Sequence, residues 1–144
     1  MKKFMIFVFL ALVIGCSLAY FMFSRERGLE SEKVMVKAFQ VGVFTNYDNA
    51  LRVAYRNNGI VVSDEGVFRV YVAILNDEDA IDNMRRYYDE IGLNYYLKEI
   101  SVSKEFLDSI KSSEKLLKDS GKEAYNVINL SVLSVYEELL WVIW

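Results

Sequence analysis

Two stretches decide how this chain folds: Phe39-Gln40-Val41-Gly42-Val43 and, further on, Phe68-Arg69-Val70-Tyr71-Val72. Each alternates with period two, as a strand with one side on a core does. In the first, Phe39, Val41 and Val43 point one way and Ala38, Gln40, Gly42 and Phe44 the other. Each stretch then leads through a polar turn into residues spaced for a helix. Thr45 or Asn46 is placed to cap the first helix, where Tyr47, Ala50, Leu51 and Ala54 fall at i, i+3, i+4 and i+7. Asn76-Asp77-Glu78 opens the second, with Ala80, Ile81, Met84, Tyr87, Tyr88 and Ile91 on one stripe and acids at the positive end of the dipole. With one residue inserted, Asp48-Asn49-Ala50-Leu51 matches Asp77-Glu78-Asp79-Ala80-Ile81. A strand–turn–helix used twice implies a pseudo-twofold axis at the sheet centre.

Working outward, Asn57-Asn58-Gly59 supplies a left-handed stop after the first helix. Residues 60–63 make a short strand, and Asp64-Glu65-Gly66 is a hairpin turn into the strand at 67–75. Gly92 ends the second helix and residues 94–100 form the last strand. The order βαββαβ over residues 34–100 predicts an α+β fold, a four-stranded antiparallel sheet with two helices on one face.

Ahead of it lies an uncharged run, residues 4–23, preceded by Lys2 and Lys3 and followed by Ser24-Arg25-Glu26-Arg27. A helix of about 20 residues rises about 30 Å, the hydrocarbon thickness of a bilayer. No A-x-A cleavage site precedes the charges. Residues 1–24 therefore read as a single transmembrane signal-anchor, with the membrane engaged through residues 4–23. Val13-Ile14-Gly15-Cys16 is similar to a lipobox, which makes Cys16 a candidate for lipidation. Basic residues flank both ends of the span, so charge alone does not orient it. The short N-terminal stub favours a single-pass protein of the cell membrane with an extracytoplasmic C-terminal domain. The charged linker, residues 25–33, reaches about 30 Å and keeps that domain near the bilayer.

Composition removes whole classes of function. The chain has no histidine and one cysteine, so a serine–histidine triad, an HExxH site, a disulfide framework and a multi-cysteine metal cluster are all excluded. Removing Lys2, Lys3, Arg25, Arg27 and Glu26 from the 17 basic and 20 acidic residues leaves 13 against 19. That acidic balance excludes an electrostatic nucleic-acid binder. No acid–base pair stands out, and neither enzymatic activity nor a cofactor or metal is expected.

The segments Phe39-Gln40-Val41-Gly42-Val43-Phe44-Thr45-Asn46, Asn49-Ala50, Phe68-Arg69-Val70-Tyr71-Val72-Ala73 and Ala80 resemble the SPOR domain (sporulation-related repeat) over residues 35–100. The resemblance implies a bacterial envelope module that binds denuded peptidoglycan glycan strands and serves cell division or sporulation. Two features depart from that family's pattern. Ala73-Ile74-Leu75 replaces a Gly-Pro-Phe after the second-half strand, and more than forty residues follow the minimal domain. A peptide-free glycan needs amide and hydroxyl partners, a flat platform and a cation for its lactyl carboxylate. The expected solvent face of the sheet offers Gln40, Gly42, Arg69 and Tyr71, with Thr45 and Asn46 in the adjoining loop. Gln40 would meet an acetamide, Gly42 would allow close approach, Tyr71 would be the platform and Arg69 the cation.

The extension, residues 101–144, predicts two further helices. Ser103 caps one carrying Phe106, Leu107, Ile110 and Leu117. The other repeats Tyr125, Ile128, Val132, Val135, Leu139 and Val142 at alternating spacings of three and four. Such a stripe must be buried: over the open sheet face, elsewhere on the domain, against a protein partner or second copy, or, through the terminal Trp141-Val142-Ile143-Trp144, at a membrane interface. Burial over the sheet would make the chain a membrane-tethered structural or interaction module whose sheet face is covered by its own C-terminal helices.

Overall fold

A computed structural model describes residues 32–142. The expected membrane span, Cys16 and nearly all of the linker lie outside them. Among the described residues no helix is long and apolar enough to cross a membrane. The elements run β1 (Lys33–Phe44), α1 (Tyr47–Arg56), β2 (Ile60–Asp64), β3 (Val67–Leu75), α2 (Glu78–Glu90), β4 (Tyr96–Ser103), α3 (Lys104–Asp119), a 3-10 turn (Lys122–Ala124) and α4 (Tyr125–Val142). The sheet is antiparallel throughout, in the order β2-β3-β1-β4. The α+β class and the four-stranded sheet are as expected. The last strand starts two residues later than read and runs three further, to Ser103.

Local chemistry sets the boundaries. Asn46, Asp77 and Ser103 each accept a backbone N–H three residues on and so cap α1, α2 and α3. The stop after α1 falls on Asn58, at φ 54°. Gly59 is needed for a different reason: a Cβ there would lie 2.5 Å from the Tyr71 carbonyl oxygen. Glu65 and Gly66, both at positive φ, join Asp64 to its partner Val67 in a two-residue hairpin of the primed type.

Both faces of the sheet are apolar and both are covered. On the first, Phe39, Val41, Val70 and Val72 pack on Ala50 and Ala54 of α1 and on Ala80, Ile81, Met84 and Tyr88 of α2. On the second, Val36, Ala38, Ile60, Val62, Ile74, Ile100 and Val102 meet Phe106, Leu107 and Ile110 of α3 and Val132 and Leu133 of α4. The result is three layers. The expectation of two helices on one face holds for α1 and α2, but the opposite face is closed by α3 and α4. The division at residue 100 is one of sequence only, because the extension shares a core with the sheet in one compact unit, Lys33–Trp144.

Register irregularities on either side of Gln40 re-aim the side chains. Phe39 pairs with Ala73, Gln40 with Tyr71 and Gly42 with Val70, so Val72 and then Val41 are left over. These are bulges, at which two successive residues share a face. Val72 and Ala73 accordingly both join the α2 side, and Gly42 turns to the α1 side with its partner Val70.

Candidate functional site

The residues expected to form a glycan shelf separate into three groups. Tyr71 is 2% exposed and lies in the core beneath α4. Its hydroxyl is pushed up to about 12 by burial, and no sugar ring reaches its face in this arrangement. Gly42 faces α1, and a Cβ there would meet the Phe44 ring at 2.5 Å. It serves packing rather than ligand approach. Thr45 and Asn46 are exposed, and the Asn46 side chain is occupied as the α1 cap.

Gln40 and Arg69 do come together, with two partners that the sequence reading missed. Arg69 donates from Nη1 to Gln40 Oε1 at 3.2 Å and from Nε to Asp64 Oδ2 at 2.7 Å. Lys98 Nζ donates to the same Asp64 oxygen at 3.0 Å. The four residues come from all four strands and share the second face of the sheet. The side chains of Arg69, Lys98 and Asp64 are 22%, 25% and 36% exposed, so this corner stays open to solvent where the aliphatic residues around it are sealed. Lys98 was legible in principle, since it precedes Ile100 and Val102 at period two on that face. Asp64 reads in the sequence as part of a turn, whereas it is the last residue of β2.

Two cations on one carboxylate leave the corner with one positive charge in excess, inside a domain whose overall balance is acidic. Asp64 is held below the usual carboxylate range, first by the Lys98 hydrogen bond and then by that of Arg69. Tyr136 of α4 borders the corner, its hydroxyl pushed up by burial and then by the Asp64 charge. Arranged in this way, the corner can accept a carboxylate against Arg69 and Lys98, with Gln40, 9% exposed, bonded to the guanidinium.

Other buried polar groups have structural work. Glu114 of α3, 5% exposed, accepts the backbone N–H groups of Asn76 and Asp77 at 2.5 and 2.7 Å, at the start of α2. Asn129 of α4 donates to the Met84 sulfur at 3.6 Å. Among the described residues no group of three or more potential ligand side chains could hold a metal ion.

No family model matches the chain, and no curated protein does. A solved structure, the peptidoglycan binding domain of the B. subtilis cell wall lytic enzyme CwlC, aligns with 51% of this chain and 98% of its own, at 19% identity and a TM-score of 0.39. That structural neighbour is a peptidoglycan-binding domain, and a likeness this loose carries no argument for the present chain.

Proposed function

We propose that this chain is a non-catalytic, membrane-anchored protein of the bacterial envelope that binds peptidoglycan glycan strands. In this reading it holds them at the polar corner of Gln40, Arg69, Lys98 and Asp64 rather than across the sheet. The observation that carries it is the excess positive charge at that corner, where the Arg69 and Lys98 side chains are 22% and 25% exposed, on an otherwise acidic domain. A lactyl carboxylate matches it in charge, and an acetamide matches Gln40 in hydrogen bonding. The twofold strand–turn–helix and the SPOR-like residues along β1 and β3 support the same reading. Residues 4–23 would be the anchor and residues 33–144 the exported part, acting at the wall during division or sporulation.

The covered sheet face favours a second reading, an interaction module that does not bind glycan. One experiment separates the two. The full chain, kept soluble in mild detergent, is co-sedimented with sacculi stripped of stem peptides by amidase. Retention in the pellet, weakened about tenfold by Arg69→Gln with Lys98→Gln, is the expected result. No retention of the unaltered chain would overturn glycan binding and leave the interaction module.

A further inference from the structure

β2 (Ile60–Asp64) ends the strand order, so alternate residues turn their N–H and C=O groups away from β3. Among the described residues no strand pairs with that edge. Two adjoining clefts run along it between α1 and α4. One, of about 270 Å³, is walled by Phe68, Leu140 and Trp141; the other, of about 180 Å³, by Leu51 and Tyr55. Tyr47, Val61 and Glu137 border both. Tyr55 is 90% exposed and Trp141 76%, large apolar surfaces gathered beside an unpaired backbone.

We propose that the β2 edge is a docking groove for an extended peptide of another protein, one that alternates apolar and basic residues and adds as a fifth strand. An extended peptide places successive side chains on opposite faces, and here Tyr47, Leu51 and Tyr55 of α1 and Glu137, Leu140 and Trp141 of α4 supply walls for them. Glu137 is the charged side chain in both linings, which selects lysine or arginine on the incoming strand. The same acid repels the lactyl carboxylates of a glycan. It also disfavours a second copy of this chain, which would bring its own Glu137 to a twofold β2–β2 pairing. The groove's lining shares no residue with the Arg69–Lys98 corner, so it is tested independently of glycan binding.

The test uses the full chain in mild detergent and a short end-blocked peptide alternating valine with lysine, read by calorimetry and tryptophan fluorescence. Binding is expected, with loss on N-methylation of alternate peptide nitrogens, which removes the ladder hydrogen bonds. Glu137→Lys, at a partly exposed helix position, should weaken the lysine peptide about tenfold and favour a glutamate analogue. Circular dichroism would verify that this variant is folded. Absence of binding, equal binding of the N-methylated peptide, an unchanged preference in a folded Glu137→Lys protein, or displacement of the peptide by denuded glycan would each overturn the proposal.

Discussion

Asp64 serves two cations through one oxygen, and this makes it the residue on which the corner's charge depends. Replacing it by asparagine would raise the excess from one cation to two. With the carboxyl about a third exposed, such pairs are worth about 0–1 kcal/mol each, so Asp64→Asn should lower stability by about 1 kcal/mol at neutral pH. Retention on denuded sacculi should rise if the corner holds lactyl groups. The pH dependence has a definite sign. A carboxyl lowered in the folded state contributes stability that is present above its ordinary value and lost as pH falls through the lowered one. The gap between the original protein and Asp64→Asn should therefore be full at pH 6 and shrink below about pH 4. Denaturant midpoints measured across that range would check it. An increase of the gap in acid would contradict the assigned partners.

At the scale of the element, the two added helices are part of the fold's framework. Glu114 ties α3 to the β3–α2 junction through two backbone N–H groups, and Lys118 pairs with Asp77 at 3.0 Å in the same place. Glu114→Ala would leave two donors without that acceptor, at a cost of about 1–3 kcal/mol. Glu114→Gln, which keeps an acceptor oxygen, should recover part of it in thermal unfolding. Leu133→Ala, at a fully buried site of α4, should cost about 2–5 kcal/mol.

Much of this was legible, and the remainder has physical reasons. The strand–helix order follows from periodicity; residue type places the cap at Ser103 and narrows the others to Thr45 or Asn46 and to Asn76-Asp77-Glu78. The covered second face carried a signal of its own: residues 70–75 are buried without interruption, and a continuous apolar run marks a strand covered on both sides. Reading Val70 and Val72 as one alternating face passed over that run. The bulges at Val72 and Val41 could not be counted from alternation, because they change its phase, and Gly42 was misassigned for that reason. Where the α3 and α4 stripes would settle depended on pairing surfaces distant in sequence, and generic aliphatic residues do not encode a choice between such partners.

At the largest scale described, residues 33–142 form a closed three-layer sandwich, and this governs what a truncation can reveal. Removing residues 104–144 uncovers Val36, Ile60, Val62, Ile74, Ile100 and Val102 together. The shortened chain should bind the dye ANS and lose cooperative unfolding, as loosely packed states do; it should not acquire a clean sugar shelf. A shortened chain that unfolds cooperatively and pellets more strongly with sacculi would reverse that conclusion. One further consequence comes from where β1 sits. It is an inner strand of the sheet, paired with β3 and β4, and residue 32 joins its first residue. A pull between an N-terminal tether and a wall polymer held by Arg69 of β3 and Lys98 of β4 would pass from β1 to its neighbours through the ladders, at right angles to their hydrogen bonds. Those bonds would be sheared together instead of unzipped one by one, so the domain is built to bear tension along the line that its proposed attachments define.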